Sequence, residues 1–298
     1  MPGPAGPSRA RPGRAHGARP AAGPRRAAGP VTSVGSTAAR ACEDRIRSLW
    51  SSGCSGGDAV AEMRSAAGVL HVTAVGRTED GGLEVIAIGP GAPPSATDFF
   101  LLNLCRVRAD AIVTTGRILR SEPGVHHGPQ GAGDEPEMLA AFRREVLGKE
   151  TPPRSVVLTS GTNVDLSHPI FHGARPALVV TGPAGAAALR ARATTAELEI
   201  AELPVPGLRA AIALLRRRGC ETICIEAGPA TSLDLYRAPL EIDELVLSTW
   251  EERTLPPDLR AGRFPGEPEL DAALPRRGPV ALRVEQSGRW TFARRRRL

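Results

Sequence analysis

Apolar residues in this chain come in short runs, separated by stretches with helical spacing. Residues 69–75 alternate well enough to predict a strand, and residues 83–88 predict a second. Glu79-Asp80-Gly81-Gly82 between them is a turn signal, so the two form a hairpin or a pair joined by a loop. From Asp98 onward the pattern changes to helix–strand alternation. Phe99, Leu102, Cys105 and Val107 lie on or near one helical face. Short apolar runs at 110–114, 155–159, 177–181, 222–226 and 242–247 predict buried strands. Helices are predicted over 57–67, 137–147 and 208–218, the last ended by Gly219. Residues 280–284 and 290–292, around Ser287-Gly288, predict a closing hairpin. Strands separated by helices imply right-handed crossovers and a sheet covered on both faces. The expected fold is therefore an α/β three-layer domain with a mostly parallel central sheet and a C-terminal antiparallel hairpin.

Residues 1–40 break this pattern. They are rich in Pro, Gly, Ala and Arg and have almost no large apolar side chains, so they cannot bury enough surface to offset their ordering entropy. The expected organisation is a disordered leader over 1–56 and one α/β domain over 57–298. The Arg-rich stretch over residues 1–42, which holds no acid, reads as an organellar presequence and points to the mitochondrion. The alternative is a low-complexity leader with no destination, on a cytoplasmic protein.

Charge sharpens the division. The formal net charge is +6, but residues 1–42 hold seven Arg and no Asp or Glu, leaving 31 basic against 32 acidic side chains. Arg294 to Arg297 add a second basic end, expected as a solvated terminus. A nucleic-acid-binding domain carries its positive charge on the folded surface, so nucleic acid is not the expected partner. No run approaches 18 apolar residues, so no membrane span is expected. Five Cys, an odd and sparse set, fit free thiols in a reducing compartment. Neither Cys220 with Cys224 nor His168 with His172 has a spacing and context that suit a metal, and none is expected.

In sheets of this kind ligands bind beyond the carboxyl ends of the strands. Three predicted strands end in small polar residues or glycine: Thr114-Thr115-Gly116-Arg117, Thr159-Ser160-Gly161, and Glu226-Ala227-Gly228-Pro229 leading to Thr231. Small residues let backbone N–H groups approach a phosphate, and a following helix start adds partial positive charge. Arg117 and Arg120 can offer guanidinium groups to a phosphate.

Two blocks resemble a known family. The run from Phe99 through Arg106-Val107-Arg108-Ala109-Asp110-Ala111 to Glu122-Pro123 is similar to a segment of the riboflavin-biosynthesis reductase domain, the C-terminal half of the bacterial bifunctional deaminase–reductase. The run Ile223 to Thr231, continuing to Asp243-Glu244, resembles that family's Glu-Gly-Gly-Pro and Asp-Glu blocks. Thr159-Ser160 and Gly116-Arg117 also resemble turns of dihydrofolate reductases. The resemblance covers residues 69–298 and implies a dihydrofolate-reductase-like fold that binds NADPH. The implied activity is hydride transfer to a phosphoribosylaminopyrimidine-type or related small phosphorylated substrate. Carried over by position, Thr115, Gly116, Arg117 and Arg120 hold the cofactor's phosphates or adenosine end. Thr159 and Ser160 lie near the 2′-phosphate, and Glu226, Ala227, Gly228, Pro229 and Thr231 line the pyrophosphate and nicotinamide. Asp80, Glu122 and His126 are the substrate-side candidates, although Asp80 reads more readily as a turn residue. No catalytic group is assigned, and a homodimer is a family expectation.

The chain departs from the pattern at three points. Ala227 stands where the family has Gly, Arg117-Ile118 fall on its Gly-Thr pair, and Thr78-Glu79-Asp80-Gly81 only approximates its Ser-x-Asp-Gly motif. A second expectation therefore stands beside the first: a catalytically inactive nucleotide-binding or scaffold protein on the same fold. A third is an organellar RNA-associated protein using its Arg-rich ends.

Overall fold

The computed structural model describes residues 35–50, 58–65, 67–192 and 198–297. Among these, eleven strands form one sheet: β1 (Gly68–Arg77), β2 (Leu83–Ile86), β3 (Ala111–Thr115), β4 (Arg154–Leu158), β5 (Ala177–Thr181), β6 (Leu198–Glu202), β7 (Thr222–Ile225), β8 (Glu244–Trp250), β9 (Arg260–Phe264), β10 (Ala281–Glu285) and β11 (Gly288–Arg296). The helices are α1 (Thr37–Trp50), α2 (Ala59–Ser65), α3 (Ala96–Arg108), α4 (Gly116–Ser121), α5 (Glu135–Ala141), α6 (Pro183–Arg192), α7 (Leu208–Arg217), α8 (Pro229–Ser232) and α9 (Glu267–Ala273). The strand order is β10-β11-β8-β1-β7-β3-β4-β5-β6, with β2 and β9 attached beside β1. Pairing is parallel from β8 to β6 and antiparallel for β10, β11 and the β1-β2-β9 branch. This is the expected α/β class, with a mostly parallel centre and antiparallel C-terminal strands.

Alternation along the strands separates two cores. Leu70, Ile112 and Cys224 face α1, α2, α3 and α5. Val69, Ala111 and Ile223 face α7 and α9. Ser95 caps α3, its hydroxyl accepting from Asp98 N at 2.9 Å, while the Glu285 carboxylate takes the N–H groups of Ala96 and Thr97. At the other end Arg143 donates to the carbonyls of Val107 and Ala109.

Two sequence expectations need correction. The leader does not extend to residue 56, because α1 is part of the core. Its Ala39, Cys42, Ile46, Leu49 and Trp50 are buried, and their spacing is that of one helical face. Trp50 Nε1 donates to the carbonyl of Phe292 at 3.3 Å. The presequence reading of residues 1–34, and the leader's stretch over 51–56, lie outside the described residues.

The basic C-terminal run is not a solvated terminus. Arg294 and Arg295 are 2% and 0% exposed, because this end of β11 pairs with β8 on one side and is covered by Pro275, Arg276 and Arg277 on the other. Successive residues of a strand face opposite sides. Arg294 therefore pairs with Glu244 and Glu62, while Arg295 pairs with Glu267 and Asp271. Glu244 also takes a bidentate fork from Arg108 at 2.8 and 2.9 Å. Burial alone would raise the Glu244 carboxyl, but the charges and hydrogen bonds of Arg108 and Arg294 overcome it and hold the pKa far below the carboxylate range.

Removing Arg294 leaves Glu244 with Arg108 as its main partner, so the cost falls toward the low end of the about 3–5 kcal/mol for breaking a buried pair. Arg294→Ala is expected to lower the thermal midpoint by on the order of 10 °C. The pH dependence has a definite sign. Glu244 is more acidic folded than at its reference value of 4.5, so its contribution is present above that pH and is lost as pH falls. Glu244→Gln should flatten the acid limb of a denaturation-versus-pH curve; an unchanged acid limb would contradict this assignment.

Candidate functional site

The adjacency of β7, β3 and β4 brings three strand ends to one edge of the sheet. At the first, the Thr115 hydroxyl accepts from Ile118 N and starts α4 at Gly116. No larger residue fits at Gly116, since a Cβ would lie 2.7 Å from Thr159 Oγ1. At the second, Thr159 Oγ1 accepts from Gly161 N, and Gly161 takes a φ of +85° against the backbone of Gly185. At the third, β7 passes through Glu226 and Ala227 to Gly228, the residue before α8. A Cβ on Gly228 would meet nothing within 4 Å, so this turn faces open space.

The sheet steps down at this edge. The β1–β7 ladder ends at His71 and Ile225, whereas the β1–β8 ladder continues to Gly76 and Trp250. Past the end of β7, Thr73 and Ala74 are half-buried in a strand whose flanking Val72 and Val75 are buried. Glu226 to Gly228 thus lie at the step where β1 runs on beyond its shorter neighbour.

Behind the turn sits a buried ion pair. Arg106, near the end of α3, donates Nε and Nη2 to the two Glu226 carboxylate oxygens, both at 2.7 Å. Its Nη1 donates to the carbonyl of His126 at 3.4 Å, which also accepts from Gln130. Burial opposes the charged form of Glu226, and Arg106 overcomes it, leaving the carboxyl below its ordinary range. His127 lies alongside, its Nδ1 3.0 Å from Ser155 Oγ and its Nε2 3.9 Å from Glu226. That Nε2 is buried and has no hydrogen-bond partner among the described residues. Burial lowers the His127 pKa to about 4, so the ring is neutral.

Arg117 and Arg120 are exposed beside the second turn, and among the described residues neither has a carboxylate partner. A cavity of about 460 Å³ opens there, lined by Gly116, Arg120, Asn163 and His168. A larger one, about 810 Å³, lies between the start of α3 and the end of β10, lined by Asp98, Phe99, Arg283 and Glu285. Burial raises the Asp98 carboxyl, with Glu285 adding to the rise and the Ser248 hydroxyl opposing it.

The structure brings together Thr115, Gly116, Arg117, Arg120, Thr159 and Ser160 at one corner, with Ala227, Gly228, Pro229 and Thr231 at the adjoining strand end. Glu226 is corrected: its side chain does not line the open turn but faces back to Arg106. Asp80 is also corrected. It sits in the β1–β2 turn, 68% exposed, accepting from Thr78 Oγ1 and Gly82 N. These bonds make it a turn residue. Glu122 follows α4, its carboxyl raised by burial and then by the charge of Glu226. His126 is exposed, and it is its backbone carbonyl that meets Arg106.

Arg106 and Asp98 were not singled out in the sequence, and His127 drew notice only beside His126 in a Gly-rich loop. Arg106 left a faint trace, as a cation one residue from Cys105 and Val107 on an apolar face.

No family model matches the chain, and no curated protein sequence matches it. Solved structures do. A pyrimidine reductase-like protein from Corynebacterium diphtheriae superposes with a TM-score of 0.55 at 20% identity, covering 86% of this chain and 98% of that one. Acinetobacter baumannii RibD superposes with a TM-score of 0.51 at 16% identity, covering 79% of this chain and 59% of that one. At these identities the likeness is one of fold.

The neutrality of His127 is directly measurable. Its ring proton resonance, identified by its loss in His127→Gln, is expected to hold one position from pH 8 to pH 5 and to move only near about 4. Titration near the ordinary histidine value of 6.5 would show that the ring is not buried as described.

Proposed function

We propose that this chain is an NADPH-dependent reductase acting on a small substrate. The observation that carries the reading is the adjacency of three small-residue turns along one sheet edge, flanked by two exposed guanidinium groups that have no carboxylate partner among the described residues. The donor set suits an anionic dinucleotide. Gly228 leaves open space, Arg117 and Arg120 are available to a phosphate, and the buried Ser232 hydroxyl in α8 has no partner among the described residues. In this reading Thr115, Gly116, Arg117 and Arg120, with Thr159 and Ser160, hold the adenosine end and its 2′-phosphate. Ala227, Gly228 and Thr231 line the pyrophosphate and nicotinamide, whereas Pro229, expected there from the sequence, is buried against Gly262.

NADPH, when bound, supplies the hydride. The chain's own part is to fix the donor against an acceptor and to exclude water from the step beside Thr73 and Ala74. The substrate class we favour is a phosphoribosylaminopyrimidine-type or related small phosphorylated compound. The fold shared with a pyrimidine reductase-like protein supports it.

A second reading is favoured by one observation. Asp80 is engaged in its own turn, so the substrate residue carried over from the reductase pattern is not offered to a ligand. On that reading the chain binds the nucleotide without turnover. An RNA-associated role loses support, because Arg294 and Arg295 are buried in ion pairs. A homodimer is supported by β10, an open sheet edge with Leu282 and Val284 exposed.

Titrating the full chain against NADPH and NADH fluorescence tests the proposal. NADPH is expected to bind more tightly than NADH. Replacing Arg117 and Arg120 by Glu should erase that preference, a loss of roughly tenfold or more for each charge-assisted phosphate contact removed. Equal binding of the two nucleotides by the unaltered chain would refute the 2′-phosphate assignment. Binding without oxidation of NADPH by any aminopyrimidine ribose phosphate would favour the second reading.

Ala227→Gly removes a methyl group from the turn and is expected to tighten NADPH binding. Unchanged affinity would place Ala227 off the ligand surface.

A further inference from the structure

We infer that Arg106 is the positioning residue of the nucleotide turn: through its bidentate pair with Glu226 it fixes the backbone of Ala227 and Gly228. The inference rests on the nucleotide reading above and adds to it a residue that touches no ligand. Glu226 follows the last residue of β7 and directly precedes the turn, so holding its carboxylate restrains the Cα from which the turn of Ala227 and Gly228 departs. The β7 ladder offers little other restraint there. β7 is four residues long, and its pairing with β1 has already ended at Ile225. Glu226 N still donates to Val113 O at 2.8 Å, which fixes one side of the peptide. Rotation about that bond is limited by the side chain, which two 2.7 Å hydrogen bonds lock in place.

The geometry suits this role. A guanidinium presents two parallel donors to a carboxylate, so the pair defines an orientation as well as a distance. Arg106 is 3% exposed and lies on α3, whose two ends are themselves fixed by Glu285 and Arg143. Its third nitrogen holds the carbonyl of His126, in the loop that leaves α4. One guanidinium therefore references the turn after β7 to a helix anchored at both ends. His127 bounds the carboxylate on another side, neutral and 3.9 Å away, so Arg106 is its sole charged hydrogen-bond partner among the described residues.

The test separates positioning from general support of the fold. Adenosine 2′,5′-bisphosphate reaches only the corner of Arg117, Arg120 and Ser160, whereas NADPH must also lie along Ala227 and Gly228. In Glu226→Gln and Arg106→Lys, the Kd for NADPH is expected to rise roughly tenfold or more, a change of about 1.4 kcal/mol per factor of ten. The Kd for adenosine 2′,5′-bisphosphate should stay within about twofold of the unaltered chain, well under that factor.

A buried single replacement risks the fold, so a double variant, Arg106→Met with Glu226→Met, is measured beside them. Removing both charges together avoids a stranded ion. It should retain the thermal midpoint and the bisphosphate affinity while losing NADPH affinity. Equal weakening of both ligands, or NADPH affinity undiminished in all three variants, overturns the inference. If the unaltered chain binds bisphosphate and NADPH not at all, the nucleotide reading itself fails and this inference with it.

Discussion

A four-residue strand lies between a ten-residue strand and a five-residue one, and the candidate site follows from that mismatch. Parallel strands joined by right-handed crossovers put all their exits on one edge. If β7 were as long as β1, its exit would be level with Gly76, and no step would form. Because β7 stops at Ile225, the chain must turn at mid-sheet, beside the flank of a neighbour that continues. That turn can use only small residues where something else approaches, and Gly228 opens onto free space. The tight packing of Gly116 on Thr159 joins the β3 and β4 exits, while Gly161 packs on Gly185 in α6, on the side away from β7.

Charge inside the fold works in the same direction. The chain has 37 Arg and a single Lys, a bias that composition alone leaves open to a genomic origin. The fold nevertheless uses the planar fork of arginine where lysine could not substitute. Arg108 grips Glu244 through two nitrogens, Arg106 grips Glu226 likewise, and Arg143 spans carbonyls at the end of α3. These pairs connect α3 to the starts and ends of central strands. Arg117 and Arg120, by contrast, remain in solvent without acidic partners among the described residues. Position in the fold, and not residue type, separates the structural arginines from those available to a ligand.

Much of this was legible from local pattern. Buried parallel strands announce themselves as short apolar runs, and β3, β4, β5 and β7 fall within a residue or so of expectation. The helix α6 was less visible because it is alanine-rich and buries only Gly185, Ala186 and Leu189. The helix α1 carries a clear amphipathic repeat, but it follows directly on low-complexity sequence, and composition hid its periodicity. The Arg294–Arg297 run shows the limit of reading charge along a line. A strand inside a sheet turns adjacent side chains to opposite layers, so a basic cluster in sequence becomes two separate ion-pair clusters in space. The Arg106–Glu226 pair joins residues 120 apart, and no spacing rule reaches that far.

The bond from Trp50 Nε1 to the carbonyl of Phe292 joins positions 242 residues apart. The last strand is not an edge but an interior member of the sheet, and the first helix packs against it. The rest of α1 packs on α2 and α5, both made long before β11, so only the Trp50 end of its apolar face waits for this strand. That end of the core closes only once β11 has been laid beside β8.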